Sequence, residues 1–144
     1  MTILVDANLL IYAYNSAATR HAAAKVWLEA GLAGAVRVGL PWPSLLAFLR
    51  VVTHPRLFAR PAETADAWKQ VTAWLSSNVA WIPLPTERHA EILGGLLGLP
   101  GIRANLVHDA DLAAMAIEHG LTLCSTDGDF ARFPGLRWRN PLAG

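Results

Sequence analysis

Cysteine is nearly absent. Cys124 stands alone among 144 residues, so no internal disulfide can form. A lone thiol fits a reducing compartment. Its apolar neighbours in LTLCS point to a buried, inert group. Charge is also scarce: charged residues make up 16% of the chain and hydrophobic residues 53%. That balance excludes a disordered chain. It leaves more apolar surface than one small domain hides, which points to a homodimer or a tight protein partner. The uncharged stretch from Val71 to Thr86 holds Ser76, Ser77, Asn78 and Pro83. It is too short and too polar to span a bilayer, so no membrane is expected. The N-terminus lacks a basic segment and reaches Asp6 at once, so no secretory signal is expected either. The expected location is the cytoplasm. Lysine is rare too: of the 12 basic residues only Lys25 and Lys69 are lysines. Arginine forks match phosphates, although an Arg-rich, Ala-rich chain equally reflects the base composition of a genome. The net charge of +1 gives no argument for nucleic acid.

What is present is an alternation of short apolar runs and helical patterns. Thr2 to Val5 reads as a buried strand, and Asn8 to Asn15 as a short helix. His21 to Leu32 reads as a helix with Ala22, Val26 and Ala30 on its apolar side. Lys25 and Glu29 pair on another side, and Gly31 and Gly34 end the helix. Val36 to Leu40 is a strand, and Ser44 to Thr53 a helix stopped before Pro55. Thr64 to Leu75 is a helix with Ala65, Trp68, Val71, Thr72 and Leu75 in period. Ala80 to Leu84 is a strand, Arg88 to Leu97 a helix, and Pro100 to Leu106 a loop. His108 to His119 is a helix closed by Gly120. Leu121 to Ser125 is a strand, and Leu136 to Trp138 a last one. This pattern predicts a single α/β domain over residues 1–144, with a parallel sheet of four to five strands and helices on both faces.

Acids sit where these strands end. Asp6 ends the first. Asp127 and Asp129 follow LTLCS, and Asp109 opens HDADLAAMAIEHG. In open α/β sheets, ligands bind beyond the carboxyl ends of the strands. If the first and fourth strands are neighbours, the acids converge. Each also has a plainer role: Asp6 as a helix cap, Asp109 and Asp111 as dipole partners in a first turn, Asp127 and Asp129 as turn residues. Several carboxylates in one cleft need a cation, or some must bind protons. Oxygen ligands favour Mg2+ or Mn2+. No cluster of Cys and His suits zinc.

Three stretches carry a resemblance: VDANLLIYAYN, GLPWPSLLAFLRVVTHPRLF and HDADLAAMAIEHGLTLCSTDGDFARFPGLRWRNPL. With their spacing, the chain resembles PIN-domain ribonucleases of the VapC toxin type from end to end. The resemblance implies a PIN-like fold and a metal-dependent endoribonuclease. It implies Asp6, Asp109 and Asp127 as ligands to Mg2+, for which Mn2+ can substitute. Asp129 is a supporting acid, and Asn8 and Thr126 orient the carboxylates. Hydrolysis by an activated water would leave 5′-phosphate and 3′-hydroxyl ends. A VapB-type antitoxin and a homodimer are further implications. One departure stands out. Many members of the family carry a Glu in the third helix, where LLAFLRVV here has Ala47 and Phe48.

An acidic cleft repels RNA, so basic residues must flank it. The candidates for RNA binding are Arg50, Arg103, Arg132 and Arg137, with Arg56, Arg60 and Arg139 beside them. Trp42, His54 and Phe58 could stack bases, and Trp138 is the best placed of the tryptophans for exposure. The other tryptophans read as core. Two rival functions remain open at this point. The first is a PIN fold that binds RNA or protein without cutting, because an acid is missing. The second is a metal-dependent phosphatase, although that class wants D-x-D where this chain has D-A-N.

Overall fold

A computed structural model describes residues 1–143. The strands are β1 (Ile3–Val5), β2 (Val38–Gly39), β3 (Ala80–Trp81), β4 (Thr122–Cys124) and β5 (Arg137–Arg139). The helices are α1 (Ala7–Tyr14), α2 (His21–Leu32), α3 (Trp42–Val52), α4 (Thr64–Leu75), α5 (His89–Leu97) and α6 (Asn105–His119). A 3₁₀ turn covers Gly128–Arg132.

All strand pairings are parallel, in the order β3-β2-β1-β4-β5. The central strand β1 is Ile-Leu-Val, as a strand buried on both faces should be. Its side chains alternate across the sheet. Val5 joins the core under α1 to α4, and Leu4 joins the core under α5 and α6. Cys124 and Leu123 divide in the same way. Helices therefore cover both faces, as the alternating pattern predicts. Phe48 centres one core, with Tyr14 at 5.3 Å and Trp74 at 4.9 Å between ring centroids, both edge-on. Gly39 is required by close approach: a Cβ there would sit 2.9 Å from Pro83 Cγ and 3.1 Å from the Ile3 carbonyl.

Several expectations are corrected. Strands β2 and β3 are two residues each, because the chain leaves the ladder at Leu40 and Ile82. In α2 the buried residues are Ala24 and Leu28, while Val26 is 68% exposed and Ala22 and Ala30 face outward. An alanine-rich helix offers more than one apolar stripe, and packing on α1 selected the other. In α4 the buried set is Ala67, Val71 and Trp74, which leaves Ala65, Thr72 and Trp68 exposed. Helix α6 starts at Asn105, within the expected loop, so Asp109 lies beyond the first turn. Gly120 closes it with φ 67°, a left-handed cap that glycine adopts without strain.

Candidate metal centre

Strands β1 and β4 lie side by side, and the Asp6 N–H donates to the Cys124 carbonyl at 3.0 Å. The chain runs outward from β1 through β2 to β3, then returns to β4 on the other side. This reversal opens a crevice beyond the strand ends. Asp6 leaves β1 into it and Asp127 leaves β4 into it. Helix α6 brings Asp109 to the same place. One oxygen each from Asp109, Asp127 and Asp129 lie within 4.8 Å of one another.

Asp6 does two jobs. It caps α1, with Oδ1 accepting from the Ala7 N–H at 2.8 Å. Its Oδ2 accepts from the Ser125 hydroxyl at 2.7 Å. Ser125 is fully buried and is a hub. It also accepts from Asn8 Nδ2 at 3.0 Å and from the Asp127 N–H at 3.0 Å. The family resemblance implies Asn8 and Thr126 as the groups that orient the carboxylates. In the structure Thr126 presents its backbone N–H to Asn8 Oδ1 at 3.4 Å, and the hydroxyl at the centre belongs to Ser125. A serine at the end of a buried strand carries no signal by itself, and only the strand pairing reveals its role. Asn8 bridges the Ser125 hydroxyl and the Thr126 N–H. Asp127 folds its carboxylate onto the Asp129 N–H at 2.9 Å and so shapes the turn.

The electrostatics follow from this crowding. Burial raises the pKa of Asp109 to about 6, with repulsion from Asp127, Asp6 and Asp129 adding to the shift. His108 opposes it. Burial also raises the pKa of Asp6, against the hydrogen bonds from Ser125 and Ala7 that favour its charged form. Such a cluster is uncomfortable without a cation. Its donors are carboxylate oxygens, which suit a hard divalent ion and not a soft one.

Asp6 and Asp109 line a cleft of about 560 Å3 between α3 and the start of α6. Its walls include Ser44, Ala47 and Arg50 on one side and His108 and Asp109 on the other. Asp111 also borders it, but about 200° round the helix from Asp109. His89 Nε2 holds it at 2.7 Å, and His89 Nδ1 meets Glu118 at 2.8 Å. That triad ties α5 to α6.

The basic candidates divide. Arg50 is exposed and lines the cleft, and Arg103 is exposed just before α6. Arg132 pairs with Asp129 at 3.2 Å. Arg137 is exposed and donates one of its N–H groups to the Gly120 carbonyl at the end of α6, at 2.6 Å. Trp138 is corrected: its indole N–H donates to the Ser125 carbonyl at 3.1 Å, which packs it behind the site. Cys124 is buried, and burial pushes its thiol up to about 11, so it is inert at neutral pH.

The PIN-domain profile matches residues 3–136. The chain belongs to the PIN-domain family. It is 47% identical over 140 residues to ribonuclease VapC37 of Mycobacterium tuberculosis, covering 97% of each chain. It is 40% identical to ribonuclease VapC33 of the same species, over 97% of this chain and 98% of that one. Among solved structures, VapBC2 of Rickettsia felis, bound to a promoter DNA fragment, superposes with a TM-score of 0.71 at 22% identity, covering 97% and 98% of the two chains. VapC20 of M. tuberculosis, a sarcin-ricin loop cleaving toxin, gives 0.68 at 22% identity over 94% and 98%. These likenesses show the shared fold. PIN membership decides against the phosphatase alternative. In this PIN domain Ala47 stands in the cleft wall, so the third helix contributes no acid there.

Proposed function

We propose that the chain is a metal-dependent endoribonuclease toxin of the VapC type. It hydrolyses RNA phosphodiester bonds and is restrained by a VapB-type antitoxin. One observation carries the reading: the oxygens of Asp109, Asp127 and Asp129 gather within 4.8 Å where β1 and β4 end. The 47% identity to a ribonuclease supports it.

Asp6, Asp109 and Asp127 would hold Mg2+, or Mn2+ in its place, with Asp129 in support. A divalent ion there activates water and neutralises phosphate charge. The protein's own contribution is positioning. Ser125 fixes the Asp6 carboxylate through a hydrogen bond across the sheet. The raised pKa of Asp109, about 6, lets the cleft hold a proton until a cation arrives. Arg50, in the cleft wall, draws the RNA backbone in, and Arg103 extends the positive rim. His108 faces the same cleft and lowers the cost of charging Asp109.

Residues 1–144 act as one nuclease domain in the cytoplasm. No helix among the described residues is long and apolar enough to cross a membrane. Exposed Leu46 and Val26 leave apolar surface for a second copy and for the antitoxin.

The test is cleavage of total RNA by the purified protein in EDTA, Mg2+ or Mn2+, beside Asp109→Asn. Discrete fragments should appear only with metal and vanish in the variant. An intact fold that never cuts would favour the binding-only reading, to which Ala47 lends its one specific support.

A further inference from the structure

Helix α3 begins on the cleft wall that faces the acids. Its cap residue is Pro41, which provides no side-chain cap. The first intrahelical bond runs from Leu45 N–H to the Pro41 carbonyl at 3.1 Å. The Trp42 and Ser44 amides precede it, and Pro43 has no N–H to give. These early amides have no intrahelical acceptor. The Ser44 hydroxyl is the second observation. Ser44 lines the cleft, is 2% exposed, and its Oγ has no hydrogen-bond partner. Buried hydroxyls without partners are rare. A serine inside a helix ordinarily bonds back to a carbonyl one turn earlier, and this one does not.

We propose that the N-terminus of α3 is a nucleotide subsite of the cleft: the Ser44 hydroxyl and the amides of Trp42 and Ser44 take an RNA phosphate, and Trp42 stacks an unpaired base. The proposal rests on the ribonuclease reading. A helix N-terminus with free donors favours an anion. Asp6 and Asp109 on the other wall favour a cation. A phosphodiester on α3 would place its negative charge opposite a cation held by the acids, and so would satisfy both walls. Arg50, further along α3, adds positive charge to the same side.

The base has a platform beside that phosphate. Trp42, next to Pro43 of the cleft lining, is 36% exposed. Its ring lies parallel to that of Trp68, itself 44% exposed, with 10° between planes and 6.4 Å between centroids. The neighbour limits the orientations of Trp42, so little freedom is lost when a base stacks. Aromatic surfaces of this kind take splayed bases of single-stranded RNA, which a duplex does not present. An antitoxin helix would use the indoles but has no need of hydroxyl and amide donors. Ser44 therefore favours RNA.

The experiment measures binding of a short unstructured RNA oligomer, and of its duplex, by tryptophan fluorescence in Ca2+, which is used so that the RNA stays whole. The full chain is compared with Ser44→Ala, Trp42→Ala and Trp42→Phe. The single strand should bind at least ~10-fold more tightly than the duplex. Trp42→Ala should weaken it by about tenfold and Trp42→Phe by much less. Ser44→Ala should weaken it by roughly fivefold, with a melting temperature at or above that of the parent, which separates lost contact from lost folding. Unchanged affinity in Ser44→Ala and Trp42→Ala, or equal binding of the duplex, overturns the proposal. So does a Trp42→Ala variant that loses dimerisation or antitoxin binding and keeps the oligomer. Cleavage in Mg2+ is read separately. A chain that binds with this dependence but never cuts keeps the subsite and loses the ribonuclease reading.

Discussion

The Ser125 hydroxyl donates to Asp6 Oδ2 at 2.7 Å, although 119 positions separate the two residues. The bond crosses from β4 to β1 and sets the carboxylate at the mouth of the cleft. The same oxygen receives Asn8 and the Asp127 N–H, so a single hydroxyl aligns both strand ends.

Ser125→Ala tests that hub. It leaves Asn8 Nδ2 and the Asp127 N–H without their acceptor and frees the Asp6 carboxylate to rotate. Loss of a group that orients a metal ligand typically costs about 10- to 100-fold in metal affinity or activity. Calorimetric titration with Mn2+ should show a loss in that range, with circular dichroism unchanged. Affinity equal to the parent's would remove Ser125 from the site.

The pH dependence of the metal-free protein should run opposite to that of the loaded one. Asp109 has a folded pKa of about 6, above the ordinary aspartate value of 3.8. The folded state thus holds a proton that the unfolded chain releases earlier. That contribution to stability is present at low pH and lost as pH rises through about 6. In EDTA the melting temperature should fall between pH 4 and about pH 6.5 on this account. With Mn2+ it should climb over the same range, because the ion needs the charged carboxylate. Parallel curves with and without metal would contradict this.

Ala104 precedes α6 with φ 51° and ψ −125°, a conformation that a side chain resists. Strain of this kind costs on the order of 1–3 kcal/mol. Ala104→Gly removes the Cβ that causes it. Urea unfolding should give a gain of about 1 kcal/mol after the extra chain entropy of glycine is deducted. A loss of stability would show that the backbone relaxes away from this conformation.

Much of the fold was legible along the chain. The Ile-Leu-Val run of β1, the extent of α4 and the Gly120 stop of α6 are local features, and each of these elements appeared close to its expected place. The inward face of α2 was not legible. Ala22, Val26 and Ala30 repeat as well as Ala24 and Leu28 do, and only contact with α1 distinguishes them. The candidate acids were legible because acids are few and fall at strand ends. Ser125 was missed because a buried serine and an idle one look alike in sequence. Trp138 was misplaced for a similar reason: its partner on another element, the Ser125 carbonyl, leaves no trace in spacing.

By itself the sequence determined the alternation of strands and helices, the lone thiol, the family likeness and the absence of an acid at Ala47 and Phe48. Those depend on residue type and short-range spacing. Tertiary structure alone decided that β1 and β4 are neighbours, that Asp109, Asp127 and Asp129 share one small volume, and that Ser44 faces the cleft without a partner. Such facts depend on distances between residues far apart along the chain, which parallel pairing and helix packing set.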